Sequence, residues 1–112
     1  IMDNSLKESL DHAKKMKVFN NQLRLLKEKY LERNIHFTVG HQFTIDLKLI
    51  NYCITLKNQN KIKDVIMLDD YDLPVRIDDL QSFYDNIMDL YQQNLNAYIV
   101  EYNKLVQDKG RI

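Results

Sequence analysis

Two stretches of the chain, residues 4–34 and 79–108, place apolar side chains at three- and four-residue spacing with neither glycine nor proline inside them. That pattern constrains the fold more than any other feature. Each stretch reads as one long helix with an apolar face that must be covered. In the first, Leu6, Leu10, Ala13, Met16, Phe19, Leu23, Leu26 and Tyr30 recur on average every ~3.5 residues, the period of a coiled-coil seam. Asn4 or Ser5 is the expected cap, with Glu8 three residues after Ser5 completing a capping box. In the second, Asp78 is the expected cap, Asp79 favours the first turn, and Gly110 marks the stop.

The second helix carries Tyr84, Tyr91 and Tyr98 seven residues apart, a spacing that drifts by only about 20° per heptad. Leu80, Ile87, Leu95, Tyr102 and Leu105 fill the gaps, and Phe83, Leu90 and Ala97 form a neighbouring line. Their combined arc is wider than the ~100° stripe of a one-sided surface helix, so more than one neighbour is expected. Tyrosine suits such a seam because its ring buries area while its hydroxyl keeps a hydrogen bond. Tyr84, Ile87, Tyr91, Leu95, Tyr98 and Tyr102 are therefore the candidate self-association seam of a homodimer.

Between the helices, residues 35–43 (IHFTVGHQF) alternate apolar and polar residues around Gly40, which predicts a short extended piece and a turn. Residues 44–59 read either as a strand, alternating at Phe43, Ile45, Leu47 and Leu49, or as a short helix over 46–58 capped by Thr44 or Asp46, with Leu49, Tyr52, Cys53 and Leu56 on one side; length and three-four spacing favour the helix. Residues 57–63 are a polar loop. Residues 65–77 (VIMLDDYDLPVRI) hold two apolar runs about an Asp-rich turn, a β-hairpin with Pro74 at its edge. The expected fold is mostly α (α+β), a single domain over residues 1–112: helix 4–34, extended turn 35–43, helix 46–58, hairpin 65–77 and helix 79–108, the terminal helices antiparallel. Two long helices joined through β-hairpin structure are similar in plan to prefoldin subunits. The likeness is architectural; no motif carries it, and no site or partner comes with it.

The chain has 112 residues, sixteen basic and sixteen acidic, and formal net charge zero, unlike a strongly basic nucleic-acid binder. The charges are segregated. Residues 12–36 hold Lys14, Lys15, Lys17, Arg24, Lys27, Lys29 and Arg33 against Glu28 and Glu32. Residues 64–89 hold Asp64, Asp69, Asp70, Asp72, Asp78, Asp79, Asp85 and Asp89 against Arg76. Such a split steers association or registers two segments. Asp69, Asp70, Asp72, Asp78 and Asp79 are the candidate surface for a basic protein partner. Lys14, Lys17, Arg24 and Lys27 are the alternative face, for nucleic acid.

Recognisable chemistry is absent. His36, His41 and Cys53 are nominal zinc ligands without paired ligand spacing. Read as an EF-hand from Asp70, the acidic turn has Val75 where glycine is needed and Gln81 where glutamate is needed; weak Mg²⁺ or Ca²⁺ binding is the most that reading allows. Two glycines build no phosphate-binding loop. One cysteine allows no intrachain disulfide, no apolar run spans a bilayer, and the first residues lack a signal-peptide pattern, which together predict a cytoplasmic location. Abundant Asn, Lys, Ile and Tyr suit an AT-rich coding sequence, that of a phage, a mobile element or a low-GC host. The expectation is a non-enzymatic adaptor, regulator or inhibitor without cofactor, acting by protein binding, with nucleic-acid binding through the first helix as the alternative.

Overall fold

The computed structural model describes residues 4–110. Its order is α1 (Asn4–Arg33), β1 (Ile35–Thr38), β2 (His41–Thr44), α2 (Leu47–Asn58), β3 (Lys63–Leu68), β4 (Pro74–Asp79) and α3 (Leu80–Gly110). The chain is mostly α with two small antiparallel hairpins, β1–β2 and β3–β4. It is long and narrow, 73 × 24 × 22 Å. The antiparallel pair of α1 with the second half of α3 makes a stalk. The hairpins, α2 and the first half of α3 make a head.

Each element has a local cause. Asp46, extended at φ −142°, accepts from the Leu49 N–H at 2.8 Å and caps α2. Val39 and Gly40 both have positive φ, 50° and 78°, the signature of a two-residue type I′ turn; this turns residues 35–44 into a complete hairpin. In the second hairpin Val65, Met67, Val75 and Ile77 point inward while Ile66, Leu68 and Arg76 point out, the period-two alternation of a half-covered sheet. Pro74 opens β4, where a missing N–H costs little.

Three boundaries and one helix face differ from the sequence reading. Asp79, not Asp78, caps α3: its carboxylate accepts from the Ser82 N–H at 3.2 Å and the Ser82 hydroxyl at 2.9 Å, the three-residue reach that a cap needs. Asn4 and Ser5 are already helical, so the capping position lies outside the described residues. The last helix includes Gly110, because glycine at a helix end lowers propensity by only about 1 kcal/mol. On α2 the inward face is Ile50, Cys53 and Leu56, whereas Tyr52 is 45 % exposed; the face is rotated from the expected one because its centre lies on Cys53.

The core belongs to the head. Phe43, Ile45, Ile50, Cys53, Leu56, Val65, Met67, Val75, Ile77, Leu80, Phe83 and Ile87 are buried together, with Phe43 and Phe83 edge-to-face at 5.3 Å. The stalk is thinner. No residue of α1 is buried, and only Met16, Phe19, Leu23, Leu26, Tyr30 and Arg33 on it are half-buried. The wide apolar arc of α3 is explained by a change of neighbour: Leu80, Phe83 and Ile87 enter the head core, while farther along Tyr98 meets Tyr30, ring centroids 4.6 Å apart.

Head and stalk are joined by two asparagines. The Asn94 side chain donates to the Arg33 carbonyl and to Asn34 Oδ1, both at 2.8 Å. The Asn34 carbonyl accepts from the Ile45 N–H at 2.7 Å. One amide pair thus ties the end of α1, the exit of β2 and the middle of α3. Both side chains are buried, so breaking the pair leaves polar groups dry. Urea unfolding of Asn94→Ala should show a loss of about 1–3 kcal/mol, and Ile87→Ala, a truncation at a fully buried site, a loss of about 2–5 kcal/mol. Wild-type stability in Asn94→Ala would show that the junction is not structural.

Candidate interaction surfaces

The candidate seam divides into three environments. Ile87 is completely buried in the head and has no surface for a second copy. Tyr84 packs on the same core beneath the Lys57 ammonium, 4.1 Å from the ring centroid. Tyr91 and Tyr98 face α1: Tyr98 meets the Tyr30 ring, and burial with a Tyr30 hydrogen bond pushes the Tyr91 phenol up. Leu95 and Tyr102 lie instead on the flank of the stalk. With Leu23, Lys27, Tyr98 and Ile99 they line an apolar groove of about 640 Å³. Ile99 is 55 % exposed. It lies off the tyrosine heptad, which is why the heptad alone did not bring it forward. Its spacing was the available signal: it stands four residues after Leu95 and three before Tyr102, at the edge of the same apolar arc.

Outside that groove the stalk still shows apolar surface. Leu6, Leu10, Val18, Leu25 and Leu31 on α1, and Val100 and Val106 on α3, are exposed. Residues 4–15 are exposed without interruption. Beside Leu105 and Asp108 near the end of α3, the α1 residues are Lys14, Lys15, Val18, Phe19 and Gln22. Glu101 sits on the stalk seam, bound to Lys29 Nζ at 3.1 Å and an Arg33 guanidinium nitrogen at 3.3 Å, and these cations hold its carboxyl below the usual range.

The five candidate aspartates also separate. Asp69 is buried: Oδ2 accepts from His41 Nδ1 at 2.7 Å, and Oδ1 accepts from the Tyr71 and Leu73 N–H groups. Asp70 accepts from the Thr44 N–H and hydroxyl and the Gln42 amide, and its own N–H donates to the Gln42 carbonyl. Together they bolt the β3–β4 turn to β2. Asp79 is the α3 cap. Asp70 and Asp79 remain at the surface, but Asp72 and Asp78 are the exposed pair whose carboxylates are turned to no partner inside the described chain.

On the alternative basic face, Arg24 is spent on Glu28 at 2.7 Å and on Asn21 at 2.9 Å. Lys27 forms a wall of the apolar groove. Lys14 and Lys17 are exposed near the far end of the stalk. The three nominal metal ligands do not converge. His41 is tied to Asp69, His36 stands edge-on to Phe83 at 5.8 Å with its pKa lowered by burial, and Cys53 is enclosed in the core. No group of three or more potential ligands occurs among the described residues. None of the helices among these residues is long and apolar enough to cross a membrane.

No family model matches the chain, nor does any curated protein or solved structure.

Two outcomes follow from this chemistry. Hydrogen bonding from His41, with smaller help from the Leu73 and Tyr71 amides, lowers Asp69 from its ordinary 3.8. A carboxyl with a depressed folded value stabilises the fold above its ordinary pKa, and that stability is lost as pH falls through the folded value. Urea midpoints measured across the acid range should therefore fall less steeply below the ordinary value in Asp69→Asn than in wild type; parallel curves would refute the assignment. Burial pushes the Cys53 thiol up to about 11, so a disulfide reagent should label it only after unfolding. Rapid labelling of the native protein would contradict the buried placement.

Proposed function

We propose that the chain is a non-enzymatic protein-interaction module, a small adaptor, regulator or inhibitor that self-associates through its stalk and engages another protein with its head. The observation that supports this reading is the exposed apolar flank of the stalk, Leu23, Leu95, Ile99 and Tyr102 around one groove. A two-helix stalk cannot cover its own flanks, and contiguous apolar surface of this kind marks an interface. A second copy offers the same strip, and a two-fold pairing of such strips closes into a four-helix arrangement. The proposed face for a basic partner narrows to Asp72 and Asp78. A cytoplasmic setting, within a host cell for a phage or mobile-element gene, belongs to the same proposal and suits a lone enclosed thiol.

Sedimentation should find a species near twice 13.5 kDa. Leu95→Glu with Ile99→Glu should convert it to a folded monomer with unchanged helical signal, because both side chains lie outside the head core. A wild-type monomer at all concentrations would overturn the self-association. A salt-dependent shift with RNA or DNA, abolished by Lys14→Glu, Lys17→Glu and Arg24→Glu together, would favour the nucleic-acid reading instead.

A further inference from the structure

We propose that the groove between α2 and β3 is a docking site for an extended peptide segment, which adds a third strand to the β3–β4 hairpin. The proposal rests on the reading of the chain as an interaction module and names the class of partner that its head takes.

Three observations carry it. First, β3 pairs only with β4 among the described residues, so along Lys63–Leu68 its second edge is unpaired; β2 meets the chain just beyond it, where the Asp70 N–H donates to the Gln42 carbonyl. A lone two-stranded sheet is marginal, and an open edge is a template for another strand. Second, a groove of about 720 Å³ is lined on the α2 side by Lys48, Leu49, Tyr52 and Thr55 and on the β3 side by Ile66, Met67 and Leu68. A second depression of about 620 Å³ shares Tyr52 and Ile66 and continues past Ile62 to Lys61 and Lys63. The two together follow β3 from end to end. Asp64 is at φ 51°, which bends the strand near its start, so the extended run left for pairing is Val65–Leu68, about 13 Å long. Third, Tyr52, Ile66 and Leu68 are 45 %, 49 % and 59 % exposed, so the groove presents apolar side chains to an incoming segment.

Charge selects the occupant. The groove is acidic where β3 ends, with Asp46, Asp69, Asp70 and Asp72 around it against the single base Lys48. Internal hydrogen bonds hold Asp46 and Asp70 in position without removing their charge. At the other end Lys61 and Lys63 stand beside Asp64, so the strong field lies at the β3 C-terminus. A strand added antiparallel to β3 begins at that acidic end. The fitting segment has a lysine or arginine at its start and apolar residues at alternate positions after it. Main-chain hydrogen bonds to an open edge with pockets for alternate side chains are a recurrent mode of peptide capture.

The test is selection of a phage-displayed library of random linear peptides on the full chain, followed by anisotropy titration of a fluorescein-labelled copy of the most enriched peptide. Enriched sequences should alternate apolar residues behind a basic one. Binding should weaken by about tenfold or more in Leu68→Lys and, separately, in Thr55→Arg, which alter opposite walls of the groove. A copy of the peptide with proline at alternate positions should not bind, because it cannot donate to the edge. The Leu95→Glu/Ile99→Glu stalk variant should bind the peptide as wild type does, which separates this proposal from the self-association. No enrichment, or equal binding by both groove variants, overturns it. So does self-association dissolved by Leu68→Lys rather than by the stalk variant, since a second copy would then occupy the groove.

Discussion

The structure turns on the amide pair of Asn34 and Asn94. A thirty-residue α1 without one buried side chain cannot set its own direction. Its position is fixed where it ends, by the Asn94 side chain holding the Arg33 carbonyl and the Asn34 amide oxygen. Carbonyls at a helix C-terminus have no partner within the helix; here one of them is met by a side chain from the other long helix. The same Asn34 receives the Ile45 N–H, so the exit from the first hairpin is set by the same residue. Removing this junction would leave α3, which runs unbroken through both parts, as the main link between stalk and head.

Everything beyond the junction follows from an unequal division of apolar area. The head encloses twelve buried apolar residues and is further stapled by Asp69 and Asp70 across the two hairpins. The stalk has half-buried side chains, the Tyr30–Tyr98 contact and the Lys29–Glu101–Arg33 group. Exposed ion pairs contribute at most about 1 kcal/mol each, so the stalk is the less stable part, and association is the means by which its flank would be covered. The head, with its enclosed core, is the better suited part to hold a groove in a fixed shape. Self-association and partner capture are thereby proposed for different parts of one chain.

Much of this was legible in the residues. Three-four spacing without glycine or proline marked both long helices; of the expected α1 seam, Met16, Phe19, Leu23, Leu26 and Tyr30 line the inner face, while Leu6, Leu10 and Ala13 are exposed. Asp46 was readable as a cap. The second hairpin was readable from its two apolar runs. The first hairpin was readable only as a turn, because its strands are four residues each and its corner places Val39 at positive φ, where a β-branched residue is unusual. Asn34 and Asn94 could not be singled out, since their importance depends on helices meeting across sixty residues. The aspartates show the same limit. Composition revealed an acidic region, but only the fold shows that Asp69 holds His41 and that Asp70 holds β2. The stalk flank and the head groove arise from tertiary placement, and their residues, Ile99, Ile66 and Leu68 among them, read locally as scattered apolar positions.

The most direct measurement of the central claim is amide hydrogen exchange at a low and a high protein concentration. Helix amides exchange through local opening, and covering a face raises their protection. The account predicts that protection in residues 17–33 and 94–108 rises with concentration while the strands of the head stay as they are. Protection of the stalk that is the same at both concentrations would contradict it.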